Sequence, residues 1–369
     1  MTTEKIRRKL YSQEKVCEVF VHKCNDYKKV KKSLIHLFDK AQVNKKFCKG
    51  ERVLLKPNIL HAASPDQAVT THPLFLSAVI ELFLDMDVKL VLGDSPISGN
   101  FQKEAELSGI ADVCKKYNVQ FSPFKVSVEK KSSEDSPRRY YIAKELEEVD
   151  SVVNLPKLKT HSLMTLTLAV KNTFGCIVGR EKQKWHVKLA SSERFANMLI
   201  DLHRLISPKL NILDGVIGMR GDGPSSGEPF SSGLVALSDN AFALDDYICE
   251  VWNIDKTKVL TVHLARKRKI TPTFRVIGDF EPEEEFTLPE SSYGKALGFL
   301  GFITRIFHKV PYIDDERCIE CLECEKRCPK EAIDVSEKDI DYSKCIRCYV
   351  CHEVCPSKAI RLKRRFFLF

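Results

Sequence analysis

The sequence predicts an α/β protein, a largely parallel sheet with flanking helices, that carries a small α+β domain at its C-terminus. Three observations predict it. Short apolar runs end abruptly in polar residues, helical periodicity fills the intervals between them, and eight of the 14 cysteines fall in the last 52 residues in two copies of one spacing. Strand runs that alternate with helices indicate βαβ units, and therefore parallel strands. At 369 residues, 43% hydrophobic and 30% charged, the chain has the length of two or three domains and the composition of packed ones. Disordered and collagen-like classes are excluded.

The elements follow in order. Arg52–Leu55 runs into Lys56, Pro57 and Asn58, and Val88–Leu92 into Gly93, Asp94, Ser95 and Pro96. Val152–Leu155 precedes a segment read as a loop, Pro156–His161, and Leu210–Leu213 leads into Asp214 and Gly215. Helical spacing marks Pro73–Leu84, where Leu76, Val79, Ile80 and Phe83 recur at three and four, and Phe195–Ile206. In such sheets ligands bind beyond the carboxyl ends of the strands. Lys56, Asn58, Asp94, Ser95, Lys157, Lys159, His161 and Asp214 are therefore expected to converge on a cleft, with the loop 218–224.

Lys157, Lys159, His161 and Lys171 place four potential cations in fifteen residues, which suits an anionic ligand such as a carboxylate or phosphate. Asn172 and Gly175 allow an unusual turn just after them. The candidate catalytic residues are His161, whose unperturbed pKa of ~6.5 suits proton transfer, Lys157 as a charge clamp, and Asp94. Cys176 reads either as a nucleophile or open-site ligand or as a small buried hydrophobe. Neither G-x-x-x-x-G-K-[ST] nor a strand-following G-x-G-x-x-G occurs, and Gly93-Asp94-Ser95-Pro96 is no G-x-S-x-G elbow, so nucleotide and hydrolase readings lose ground.

The cysteines form the runs Cys318, Cys321, Cys324, Cys328-Pro329 and Cys345, Cys348, Cys351, Cys355-Pro356, each C-x2-C-x2-C-x3-C-P and offset by 27 residues. Ala332-Ile333 recurs as Ala359-Ile360, so the segment is an internal duplication. A zinc site wants ligands in two separated pairs, whereas three Cys at successive spacings of three wrap one face of an iron–sulfur cubane. No secretory signal is visible in the first twenty residues; a reducing, cytoplasmic setting is expected, where metal binding is a better use of so many thiols than disulfides.

Residues 312–362 closely resemble the bacterial ferredoxins that hold two [4Fe–4S] clusters. In such proteins the fourth Cys of each run ligates the other cluster. The resemblance assigns Cys318, Cys321, Cys324 and Cys355 to one cluster and Cys345, Cys348, Cys351 and Cys328 to the other, and it implies low-potential one-electron transfer. His352 is expected as an exposed side chain beside a cluster. Residues 312–369 hold 12 basic and 12 acidic residues, so the net charge of +9 belongs to residues 1–311. That favours a cluster module wired to a basic domain over a free shuttle.

Read together, KPN at 56–58, GDSP at 93–96, NLPKLKTH at 154–161, AVKNTFG at 169–175 and LDGVIGMRGDGP at 213–224 resemble the prokaryotic family catalogued as domain of unknown function 362. The resemblance spans residues 14–265, matches the family's polar motifs at Lys56, Asn58, Asp94, Lys157, Lys159, His161, Lys171 and Asn172, and implies a C-terminal two-cluster module. The expected organisation is an α/β domain over 1–265, a linker over 266–311, and the two-[4Fe–4S] ferredoxin-like domain over 312–369. Within the linker, Lys295–Lys309 has an apolar helical face at Leu297, Leu300, Ile303 and Phe307, expected to dock the module, with an interfacial membrane helix as the lesser reading. The tail from Lys363 allows the same two. Lysines spread without a stripe argue against nucleic acid.

The expected function is an iron–sulfur oxidoreductase in which two [4Fe–4S] clusters exchange single electrons with an anionic substrate on the α/β domain. The alternative is a ferredoxin-like carrier whose α/β domain docks a redox partner enzyme. Structural or redox-sensing clusters are the third reading.

Overall fold

The computed structural model describes residues 16–96, 101–132, 138–179, 181–189, 191–289, 291 and 309–364. The amphipathic helix expected over 295–309, Lys309 apart, and the tail from 365 lie outside the described residues.

In chain order the strands of the large domain are β1 (Cys17–Lys23), β2 (Arg52–Pro57), β3 (Lys89–Asp94), β4 (Gln120–Pro123), the hairpin β5 (Ser127–Lys131) and β6 (Arg139–Ala143), β7 (Ser151–Leu155), β8 (Lys157–His161), β9 (Thr165–Thr167), β10 (Leu210–Arg220), β11 (Glu228–Phe230), β12 (Leu234–Ser238) and β13 (Phe274–Ile277). All but the hairpin join one sheet, ordered β13-β1-β12-β10-β7-β2-β3-β4, with β8 and β11 attached at β10 and β9 at β8. The strands from β10 through β7, β2 and β3 to β4 run parallel. β12 lies antiparallel between β10 and β1.

Side-chain alternation along the strands divides the core into two layers. Val53 and Leu55 of β2, Val153 and Leu155 of β7 and Val235 and Leu237 of β12 face one layer, with the helices Val30–Lys40 and Pro73–Leu84. Val19 and Val21 of β1 and Leu234 and Ala236 of β12 face the other, with the helices Ser192–Ile206, Ala241–Val251 and Leu260–Lys267. Because helices cover both faces, the central strands read as unbroken apolar runs such as Val53-Leu54-Leu55.

The α/β domain extends beyond residue 265. β13 adds a parallel edge strand beside β1, and Phe280 and Phe286 pack around Trp252, with ring centroids 5.6 Å away in each case. The first part of the expected linker is thus core-bearing structure, because β1 otherwise leaves an open edge and Phe286 a buried face to fill.

The cluster module begins at β14 (Lys309–Ile313), which pairs with β17 (Ile360–Arg364); between them lie β15 (Ile333–Asp334), β16 (Asp339–Ile340) and the short helices Glu323–Lys326 and Val350–Val354. The duplication is visible in the backbone. Glu320 and Arg347, Leu322 and Tyr349, and Glu331 and Lys358 form three pairs, each offset by 27 residues, and all six have positive φ between 50° and 60°. For residues with a Cβ each such angle costs about 1–2 kcal/mol, so the ligand loops are held by something stronger than local preference.

Candidate functional site

The eight cysteines stand around two cavities in the module. One is lined by Cys328, Cys345, Cys348 and Cys351 with Pro311, Ile333 and Ile340; the other by Cys318, Cys321, Cys324 and Cys355 with Val335 and Ile360. Among the described residues no three His, Cys, Asp or Glu side chains close on a point that would hold a single metal ion. Thiols spread around an apolar hollow suit a cubane, whose corners lie apart, better than one ion. Backbone N–H groups of Ala332 and Ala359 donate to the Cys328 and Cys355 sulfurs at 3.3 and 3.2 Å, the kind of bond that tunes cluster potential. The residues present fit two [4Fe–4S] clusters.

The second half of the site lies at the carboxyl ends of the sheet. Lys157, Lys159 and His161, expected on a loop, form β8, and every residue of β8 is buried. Period-two alternation puts all three on one face and Leu158 in the core behind. Lys157 Nζ donates to Asp214 Oδ2 at 2.9 Å and to Tyr27 Oη at 2.7 Å. Lys56 Nζ lies 2.9 Å from Asp94 Oδ1, while the Asp94 oxygens also accept from the backbone N–H of Ile59 and Ser95. Asp94 and Lys157 are thus engaged with fixed partners rather than free, because a charge this deep persists only when matched. Gly175 covers the first pair: a Cβ there would lie 2.3 Å from Asp94 Oδ1 and 2.5 Å from Lys56 Nζ. Asn172 bridges the amides of Asn58 and Asn154 at 2.8 Å each and ties β2 to β7.

Other charged side chains near these strand ends lack such matches. Lys159 Nζ donates to the Val69 carbonyl at 2.5 Å, and burial, followed by Lys171, pushes its pKa well down. Burial lowers Lys171 as well, and holds Lys182 down to about 8. Glu104, fully buried, is pushed up to about 8 by burial and then by Asp94. Cys176 is buried, its thiol raised to about 12 by desolvation, which suits the small hydrophobe and not the nucleophile.

The module packs against these strand ends. Glu353, in the gap between Cys351 and Cys355, puts Oε1 3.0 Å from His161 Nε2. His161 Nδ1 accepts from the N–H of Leu163 and Met164, leaving its proton on the side of Glu353. Burial holds the His161 pKa down to about 3 and that of His186 to about 4. Burial opposes ionisation of Glu353, yet His161 and Lys171 outweigh it and hold the carboxyl at about 2. The Glu353 carbonyl accepts from Ser225 Oγ at 2.8 Å. His352, expected to be exposed, is buried, with its ring nitrogens 2.6 Å from the Ile360 carbonyl and 3.2 Å from that of Asp222. It fastens module to domain. Gly223, beside Asp222, approaches so closely that a Cβ would lie 2.4 Å from the Thr160 carbonyl.

A family model described as domain of unknown function 362 matches residues 53–250, more than half of the chain. The chain belongs to that family. The DUF362 match spans β2 through most of the helix Ala241–Val251 and so contains Lys56, Asp94, β8, Lys171, Lys182 and Asp214. A model described as a 4Fe-4S dicluster domain matches residues 310–356. This chain is therefore a DUF362 protein with an iron–sulfur dicluster domain of the electron-transfer type. It is 36% identical over 225 residues, 61% of its own length and 70% of the relative's, to Thylakoid-associated protein sll1697 of Synechocystis sp.. Among solved structures it is similar to the lactate racemase apoprotein from Thermoanaerobacterium thermosaccharolyticum at 13% identity and a TM-score of 0.38, over 66% of this chain and 58% of that one. A similarity that low supports no functional argument.

Sequence reasoning missed Glu104, Lys182, His186 and Glu353. Glu353 sits inside the cysteine motif, where spacing directs attention to the ligands. Lys182 and His186 lie on the helix Glu181–Lys188, whose polar composition reads as solvent-facing.

Proposed function

We propose that this DUF362 protein is an iron–sulfur oxidoreductase in which the two clusters exchange single electrons with an anionic substrate held at the carboxyl ends of the large sheet. One cluster is held by Cys318, Cys321, Cys324 and Cys355, the other by Cys328, Cys345, Cys348 and Cys351. Each takes one electron at a time, so the fully reduced chain carries two, supplied by an external one-electron donor. The observation that carries this reading is Glu353: a side chain from between two cluster ligands reaches 3.0 Å from His161 on the lysine-bearing strand β8. A carrier serving many partners has no need of a buried contact there. Asp94 and Lys157 act in this reading by holding the strand ends in place, and His161 is the group positioned to handle a proton.

The test uses dithionite-reduced holoprotein mixed anaerobically with a metabolite pool. Reoxidation of the clusters by a small molecule, lost in His161→Gln with iron content unchanged, is the expected result. Reoxidation only by another protein would instead favour the alternative, a carrier whose α/β domain docks a partner enzyme; the module's exposed Cys321 is what favours that second reading. We place the protein in the cytoplasm. No helix among the described residues is long and apolar enough to cross a membrane. The association in the relative's name is tested here by fractionation, where recovery with membranes would move that placement.

A further inference from the structure

The two halves of the cluster module repeat one another in backbone but not in exposure. The loops Cys318–Leu322 and Cys345–Tyr349 are equivalent at an offset of 27 residues, and their positive-φ positions coincide. In the second half the surface is occupied. Tyr349 is buried and donates its hydroxyl to the Lys309 carbonyl at 2.8 Å, while His352 and Glu353 approach the Asp222 carbonyl and His161 of the α/β domain. In the first half it is open. Ile319, 63% exposed, is the most exposed large apolar side chain among the described residues; Leu322, the equivalent of Tyr349, is 39% exposed, and Cys321 is the one exposed cysteine of the eight. All three line the same cavity as Cys318, Cys324 and Cys355, so this loop is the outer wall of one cluster site.

Charge divides along the same line. The first repeat, residues 312–338, holds nine acidic and five basic residues, and the second, residues 339–365, three acidic and seven basic, so the neutrality of the module hides a polarity. Glu320 becomes Arg347 in the second repeat, and Glu316 becomes Ser343. Asp315, Glu316 and Glu320 are exposed around the apolar tip, and Glu320 lines the cavity with Ile319. Lys338 stands 3.8 Å from Glu320, too far for a tight pair. A lone exposed apolar residue is ordinary, but here two flank a cluster ligand inside an acidic surround, which is the anatomy of a contact with an apolar centre and a charged rim. Electron tunnelling falls steeply with distance, so a protein that exchanges electrons with a cluster must come close to it. This loop is where one can.

We propose that the loop Cys318–Leu322 is the docking surface for a one-electron carrier protein that presents an apolar patch ringed by lysine and arginine, so that electrons enter at the cluster held by Cys318, Cys321, Cys324 and Cys355. The proposal rests on the reading that the cysteines hold clusters reduced by an external donor, and it names the donor's class and its place of contact. Each encounter moves one electron: the donor is oxidised by one and the cluster reduced by one, with no bond made or broken. Of the duplicated motif, one copy is turned to the chain's own α/β domain and the other to a partner. Small redox contacts of this kind are transient, and opposite charge mainly speeds their formation.

The probe is cytochrome c, a basic one-electron haem protein; a docking surface serves electrons in either direction, so an acceptor tests it. Full-length holoprotein, reduced and freed of excess dithionite, is mixed anaerobically with oxidised cytochrome c by stopped flow. Each rate is read relative to that with benzoquinone, which needs no protein surface, so a damaged cluster does not mimic lost docking. The relative rate should fall about tenfold or more from low to high ionic strength, and by a similar factor in Ile319→Ser and in the double variant Glu316→Lys with Glu320→Lys. Ser343→Lys, which adds a positive charge at the equivalent place of the second repeat, should change it by less than about twofold. If Ile319→Ser loses iron, the exposed Glu316 and Glu320 carry the test. Equal rates in the charge-reversed variant and wild type overturn the proposal. So does a wild-type dimer that Ile319→Ser converts to a monomer in sedimentation, since a second copy would then own the surface. Salt-dependent, loop-dependent transfer in a protein whose clusters no small metabolite reoxidises would instead overturn the oxidoreductase reading and leave this surface standing.

Discussion

The cluster module and the α/β domain bury opposite things. In the module, cysteines and residues such as Ile333, Ile340, Val335 and Ile360 surround two hollows, and its side-chain core is small. In the α/β domain two large apolar layers sandwich the sheet, and polar groups concentrate where the strands end. Inorganic clusters between the thiols would complete the module's core, whereas the domain has its own core and places charge at the rim of it. The difference teaches where each part's stability resides: in metal–thiolate bonds for one, in apolar packing and matched ion pairs for the other.

The sharpest break of the comparison is removal of iron. Anaerobic protein should hold about eight iron and eight sulfide per chain. Chelation should unfold the module while residues 1–289 keep a cooperative thermal transition; one shared transition, or zinc in place of iron, would refute the contrast. Cys321→Ala should lose one cluster with the other partly retained, and Cys176→Ala should leave iron content as it was.

Next in size is the loss of a matched charge in the domain. Lys56→Met leaves Asp94 buried and unpaired and should cost about 3–5 kcal/mol by denaturant titration. Gly175→Ala should destabilise as well, since its methyl group would displace the same pair. Wild-type stability in both would mean that the Lys56–Asp94 contact is incidental.

A smaller effect is acid lability confined to the domain. Burial holds the His203 pKa down to about 3 and that of His61 to about 4, against 6.5 for a free imidazole. Between those values and 6.5 the unfolded chain binds protons that the folded one refuses, so stability falls as pH falls below about 6.5. Thermal midpoints of residues 1–289 at pH 7.5, 6 and 5 should decline, and His203→Leu should flatten the slope; a slope unchanged by that variant would clear His203. The smallest effect belongs to the surface: the Lys49–Asp87 pair is mostly exposed, and Lys49→Ala should leave the midpoint unmoved.

The module was legible because a cubane needs ligands within a few residues of one another, so the motif is local and spacing alone reveals it. The strand-helix alternation was legible for a similar reason, since Val53-Leu54-Leu55 and Val152-Val153 are contiguous. β8 was not, although KLKTH spaces Lys157, Lys159 and His161 by two. Lysines at a spacing of two normally indicate a strand with one face in water, and here that face is covered by Tyr27, Asp214 and Val69 of the same domain and by Glu353 of the module. The pairing of Lys157 with Asp214, 57 residues away, and of His161 with Glu353, further still, depends on which strands become neighbours. Periodicity carries no record of that. β13 was hidden differently: Phe274–Ile277 is half-exposed and, at four residues, too short to show a period.

The pairing of β14 with β17 sets Lys309 opposite Arg364, so the chain enters and leaves the module at the same end of one antiparallel pair. Mechanically this is a zipper. A pull applied across those two ends loads the hydrogen bonds one after another, from Lys309 inward to Ile313, and never all at once in shear. Once the pair has opened, the load reaches Cys318 and Cys355, which line the same cavity, so a cluster bridging them would be the clamp that halts extension. In its loaded form the module is held shut by inorganic bonds at a point where its backbone is built to peel.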